Sequence, residues 1–385
     1  MTEIKTINDK KMDALKLFGT LKNPVFQYGL GMSMDFSSID LIAIEKKLQQ
    51  VPEALAITAP KGVLVHRLAD APPEIIQQYF DQLVPASENK FAALHYAYLQ
   101  RGLVVVIPKD TEIDEPIHID SLLSDSAAEH IILIAEANSK VTILESSISQ
   151  EQVSYKSQVV QVYAKENSQV TWCTVQHLHP ATDSITFKRG KAAQNASIAW
   201  MDVLLGGKLN QLQIRTILSE PGANSAISTA FCSNGLQQFD LNGESVHQAA
   251  HTASGIYSKG VLMDHSDSII RGKITINKNA HHCSGHQKAQ ALLIGEQARC
   301  NAIPVLEVQN DEVICSHGAT IGQLDEEQLF YLLSRGLNEK TATQIILAGF
   351  LEPIISKIQN EQLKEKISQL LSQKITNLKE HELAS

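Results

Sequence analysis

The stretch "EANSKVTI" (residues 136–143) places an asparagine two residues ahead of a short alternating run of β-branched residues. The same device returns as "KENSQVTW" (165–172), "AQNASIAW" (193–200) and "GANSAIST" (222–229). "TASGIYS" (252–258) continues it with Ala253 in the asparagine's place. Counted from Asn138 through Asn167, Asn195 and Asn224 to Ala253, the steps are 29, 28, 29 and 29 residues. A turn residue followed by a strand in near-constant register marks a solenoid. The period exceeds the coil of about 18 residues built from hexapeptide repeats and carries no helical pattern. It predicts a parallel β-helix with one coil per repeat, each coil adding about 4.8 Å along the axis.

The flanks have a different texture. Residues 1–101 read as a helical N-terminal domain, with Asp40 capping "LIAIEKK" and prolines opening "PPEIIQQYFDQLV". "NKFAALHYAYLQRG" reads as a helix stopping at Gly102. Residues 102–324 form the predicted β-helix core, and 325–385 a C-terminal helical domain. There Asp325 and Gln328 supply a capping box, and Asn338 a second cap. The tail shows an apolar stripe at Leu363, Ile367, Leu370, Leu371, Ile375 and Leu378, an amphipathic helix that needs a surface to cover. The end of the solenoid or another protein would serve. The fold class expected is mainly β.

Bulk properties exclude several functions. A net charge of −9 and the absence of a basic stripe argue against nucleic acid. No apolar run reaches the length of a membrane span, and the charged N-terminus lacks a signal-peptide core, so a cytoplasmic protein is expected. Cys173, Cys232, Cys283, Cys300 and Cys315 are odd in number and widely spaced with no C-x-x-C pair, which argues against a zinc ribbon or disulfide framework. "LLGGKLN" lacks the spacing and hydroxyl of a Walker loop, and there is no G-x-S-x-G elbow.

Histidine and cysteine remain as carriers of chemistry. "EVICSHGATIG" (312–322) sets Cys315 and His317 on the same face of a strand, ahead of a turn expected at Gly318. A thiolate and an imidazole suit iron, copper or zinc, yet two ligands make half a site. "NAHHCSGHQ" (279–287) gathers His281, His282, Cys283 and His286, which on a strand would face opposite ways. "HQAAH" has the i, i+4 spacing of a helical metal pair but sits in β-like sequence, so His247 and His251 read as surface.

The run from Pro304 to Ile354, "PVLEVQNDEVICSHGATIGQLDEEQLFYLLSRGLNEKTATQIILAGFLEPI", resembles the C-terminal signature of the SufB/SufD family, scaffolds of SUF iron–sulfur cluster assembly. "NKFAALHYAYLQRGLVVVIPKDTEIDEPIHI" (89–119) is similar to that family's entry into its core. The resemblance implies a right-handed parallel β-helix flanked by helical regions. Within the family the chain looks most like the SufD branch. Ala289 stands where the SufB type has a cysteine, Ser316–His317 replaces a His–Glu pair, and no N-terminal cysteine motif is present. The resemblance further implies a non-catalytic scaffold subunit, paired with a SufB-type paralogue through the β-helix. It would sit on a SufC-type ABC ATPase through its C-terminal helices. It also implies that His317 meets iron or a nascent Fe–S cluster at the heterodimer interface, with Cys315 the weaker candidate. Iron and sulfide would be transient, with no stably bound cofactor. Two rival readings are a purely structural scaffold with no iron contact and a carbohydrate-active β-helix enzyme. The latter wants aromatic and acidic groove residues, and aromatics are only 5% of the chain.

Overall fold

The computed structural model describes residues 6–24, 34–49, 53–151, 153–358 and 360–376. Its core is a parallel β-solenoid of two facing sheets. One strand of each coil lies in the first sheet: β4 (Ile117–Leu123), β6 (Lys140–Ser149), β8 (Gln169–His177), β10 (Ser197–Leu204), β12 (Asn224–Ser233), β14 (Ala253–Met263), β16 (Ser284–Ile294) and β18 (Ile314–Gln323). The other lies in the second sheet: β3 (Arg101–Ile107), β5 (Ala127–Ala135), β7 (Tyr155–Ala164), β9 (Asp183–Ala192), β11 (Leu209–Leu218), β13 (Gln238–His247), β15 (Asp267–Ile276) and β17 (Arg299–Val308). All these pairings are parallel. Two short strands inside the N-terminal helical stretch, β1 (Ala56–Thr58) and β2 (Leu64–Arg67), close the first coil by pairing antiparallel with β4 and β3. Gly102 lies within β3 and stops no helix; a Cβ there would meet the His130 carbonyl at 2.3 Å.

The asparagine repeat has a conformational cause. Asp110, Asn138, Asn167 and Asn195 all adopt left-handed backbone with φ of 54–58°. This region is costly for most L-residues and tolerated by Asn and Asp, which also bond locally. Their side chains form a ladder: Asn138 Nδ2 donates to Asp110 (2.6 Å), Asn167 to Asn138 (2.9 Å), and Asn195 to Asn167 (3.2 Å). The ladder departs from the sequence repeat at the next coil. Ser197 pairs with Asn224, so Asn224 opens β12, and the left-handed rung is Gly222 (φ 77°). Later rungs are His251 (φ 59°) and His282 (φ 56°), not Ala253.

Alternate residues of every strand enter the space between the sheets. Most are aliphatic or tryptophan, including the fully buried Trp172 and Trp200. In the first four coils, however, the interior holds alternating charges. Arg101 pairs with Glu129, and Lys156 lies 3.5 Å from the same carboxylate. Lys188 lies 2.6 Å from Asp202 and 3.8 Å from Glu145. Trp172 Nε1 and Thr174 Oγ1 each donate to Glu145 at 2.8 Å, and Gln158 Nε2 donates at 2.5 Å. Burial pushes both acids upward. For Glu145 the Lys188 and Lys156 charges and these donors outweigh it, so its carboxyl titrates low. Asp202 titrates high, because the Lys188 charge does not fully offset burial and the Glu145 carboxylate adds to the rise; its Oδ2 has no hydrogen-bond partner.

Helices α1 (Ile7–Thr20), α2 (Leu41–Lys47), α3 (Pro73–Tyr79) and α4 (Lys90–Ala97) pack on the outer face of the second sheet over β3–β9. Asp40 and Asn89 cap α2 and α4 as N-cap acceptors. At this seam His95 Nε2 lies 3.3 Å from His130 Nδ1, and both rings are fully buried. Ser157 Oγ and Gln161 hold their far nitrogens at 3.0 and 2.9 Å. Burial lowers His95 to about 3 and holds His130 well below the ordinary range. The folded chain therefore keeps both rings neutral where the unfolded chain, near 6.5, takes protons. The stability that this pair contributes is present above pH 6.5 and is lost as pH drops below it. The pair's own share of the pH dependence is a loss of about 2–3 kcal/mol between pH 7.5 and 5.5, since each ring contributes about 1.4 kcal/mol per unit. Urea midpoints of the wild type and His130→Gln across that range test it: the variant should lose about 1.4 kcal/mol less than the wild type.

On the opposite flank, α5 (Glu326–Ser334), α6 (Glu339–Ile355) and α7 (Glu361–Thr376) follow β18. Asp325 and Asn338 cap α5 and α6. Leu347, Leu351, Ile354 and Ile355 of α6 and Ile367 and Leu371 of α7 bury against Cys173, Met201, Cys232 and Met263 on the outer face of the first sheet. The amphipathic tail thus covers the solenoid's flank and not its end. Leu378 of its stripe lies outside the described residues. Lys374 Nζ reinforces the contact by donating to Leu205 O and Gln237 Oε1, both at 2.6 Å.

Candidate functional site

The two ends of the solenoid differ. The first coil is closed by β1 and β2, whereas β17 and β18 end their sheets with no further strand among the described residues. Ile314 is 70% exposed and Ile321 40%. Ile314 N–H donates to Cys283 O at 2.9 Å. Peptide directions alternate along a parallel strand, so the N–H groups of Cys315, His317, Ala319 and Ile321 turn away from β16 toward the open edge.

Cys315 and His317 do share a face, as their spacing required. Cys315 stands opposite Gly285 and His317 opposite Gln287, two buried positions on the interior face of β16. Both residues therefore top the interior at its uncovered mouth. His317 is exposed and Cys315 half-buried. Burial raises the Cys315 thiol, with Cys283 adding to the rise and the Gly285 N–H opposing it. Missing Cβ atoms at Gly285 leave room for the sulfur, which would lie 3.6 Å from one. Between them Ser316 points outward, where its hydroxyl meets His286 Nδ1 at 2.8 Å. Gly318 forms no turn; it continues β18 as extended strand with open space over its Cα.

The other histidine-rich segment does not converge. Residues 277–283 form a turn with His282 in left-handed backbone, so strand alternation does not apply. His281 and His282 are solvent-facing beside Glu312 (3.3 and 3.8 Å), and His282 stacks on His251 with centroids 5.2 Å apart. Cys283 is buried and contacts Ala249 O at 3.3 Å, while His286 faces out. His247, read from sequence as surface, is fully buried between Thr252 Oγ1 (2.7 Å) and Ser254 Oγ (2.8 Å). Among the described residues no group of three or more His, Cys, Asp or Glu side chains is placed to hold a metal.

Sequence reasoning missed a surface on the C-terminal helices. Phe330 (72% exposed), Tyr331 (55%), Leu333 and Ile345 lie open on α5 and α6, and α5 has no buried residue. The run "LFYLL" is apolar on all sides, a signal of two-sided contact that capping alone did not explain. Among the described residues no helix is long and apolar enough to cross a membrane.

Two facing parallel sheets with a thiol and an imidazole at their unpaired mouth place the chain among the parallel β-solenoid proteins. The chain matches the family model described as SUF system FeS cluster assembly, SufBD core domain, over residues 119–350. Residues 42–119 match the SufBD protein N-terminal region. The chain belongs to the SufBD family. Proteins named iron–sulfur cluster assembly SufBD family protein from Staphylococcus saprophyticus, S. epidermidis and S. haemolyticus are each 30% identical to it over 294 residues. Those matches cover 75% of this chain and 63% of each relative's length.

Proposed function

We propose that the chain is a SufD-type scaffold subunit of SUF iron–sulfur cluster assembly, pairing with a SufB-type paralogue across the open mouth. The observation that carries this reading is the unpaired edge of β18. It offers backbone donors at Cys315, His317, Ala319 and Ile321, with exposed apolar residues beside them. Exposed, unblocked edges of this kind invite strand pairing with another chain. The open Phe330–Tyr331 surface suits a second partner, a SufC-type ABC ATPase, which would supply the ATP hydrolysis that this chain has no Walker loop to perform.

Iron enters as cargo. His317 presents an imidazole at the mouth, Cys315 a thiol recessed beside it, and the remaining ligands come from the paralogue. The shortage of converging ligands among the described residues favours one other reading, a scaffold that shapes the paralogue and never touches iron. His317→Ala in the assembled complex separates the two. The cargo reading expects intact complex with Fe–S chromophore on reconstitution reduced at least about tenfold, the scale on which single metal-site residues act. Wild-type chromophore yield would leave only the structural role.

A further inference from the structure

The closed end of the solenoid carries a cleft that lies apart from the β18 edge and the α5–α6 surface. It has a volume of about 990 Å³ and lies between the start of α1, β1, β2, the 3-10 turn Leu68–Asp70, α3 and β3. Ile57, Val65, Leu68 and Ile76 give it apolar walls. Its charged lining is one-sided: Lys11, Arg67 and Arg101 border it, and among the described lining residues there is no Asp or Glu. In a chain with 42 acidic and 33 basic residues, that is a local reversal of sign.

The three cations are not equivalent. Arg101 is committed to Glu129 and the Glu53 carbonyl. Among the described residues Lys11 donates only to the Leu99 carbonyl, at 2.7 Å, and neither Lys11 nor the exposed Arg67 has a carboxylate partner. Lys11 is half-buried, and burial lowers its pKa. Removing an ammonium group from water without an opposing charge is unfavourable, and an anion at that point would offset it. A concave, mostly apolar site with a few convergent polar groups is the common form of a small-molecule pocket.

We propose that this cleft binds a small organic anion, a carboxylate with an apolar body, its head held by Lys11 and Arg67 and its body on Ile57, Val65, Leu68 and Ile76. Charge complementarity selects the occupant: an uncharged body of the same shape would bury the walls but leave the half-buried Lys11 without a counter-charge and forgo the exposed Arg67 at the rim. Isothermal titration of the full chain with dodecanoate, and with dodecan-1-ol as its uncharged counterpart, tests this. Dodecanoate should bind one per chain and at least tenfold more tightly than the alcohol. Lys11→Gln/Arg67→Gln should bring the carboxylate down to the alcohol's affinity with an unchanged melting temperature. Lys11→Glu/Arg67→Glu should instead prefer dodecylammonium, a reversal that structural damage would not produce. Equal binding of acid and alcohol, no binding of either, or wild-type affinity in the glutamine variant would each overturn the proposal.

Discussion

Lys188→Met is expected to lower the stability of the chain by about 3–5 kcal/mol, the range for stripping one partner from a buried ion pair. Lys188 is fully enclosed between the sheets and is the nearest cation to Asp202, at 2.6 Å. Its loss leaves that carboxyl in the interior with no counter-charge, so that it must bear the desolvation or take up a proton, and its Oδ2 already lacks a protein partner. Glu145 suffers less, since Trp172, Thr174 and Gln158 still donate to it. Methionine fills most of the lysine's volume, so the effect reports charge more than packing. Lys188→Met/Asp202→Leu removes both charges and should recover most of the loss, because a buried pair swapped for apolar residues is close to neutral. Urea midpoints of the wild type and these variants, with Asp202→Leu alone completing the cycle, measure the coupling. A loss below about 1 kcal/mol for Lys188→Met would mean the charges are solvated and the interior is not dry.

The solenoid was legible in the sequence because its turns impose a backbone demand few residues meet. Asn138, Asn167 and Asn195 recur where the chain is left-handed. The register slipped at Asn224 because Gly222 meets the same demand with no side chain to reveal it. The interior charges were invisible for a different reason. Strands buried on both faces, such as β7, lose the polar–apolar alternation that tells inside from outside. Lys156 and Gln158 point in, and His130 and Gln161 point toward the N-terminal helices, yet nothing local distinguishes them. His247 was misread on the same ground. At the mouth, the two-residue spacing of Cys315 and His317 was sufficient to place them on one face. That this face tops an uncovered interior depends on the strand count and on where α5–α7 pack, which no short segment encodes.

Ala319→Pro is expected to abolish pairing with the paralogue while leaving the chain folded. The Ala319 N–H points to the open edge, so proline there removes no bond to β16, and proline is tolerated on edge strands. It does remove a donor from the middle of the row that a partner strand would engage, and its ring crowds the approach. The exposed surface of α5 and α6 is untouched. The decisive measurement is therefore the native mass of tagged chain co-expressed with a SufB-type paralogue and a SufC-type ATPase, wild type beside Ala319→Pro. The account predicts an assembly holding both partners for the wild type, and the ATPase without the paralogue for the variant. A wild-type chain that captures neither partner, or a variant that keeps the paralogue undiminished, would contradict it.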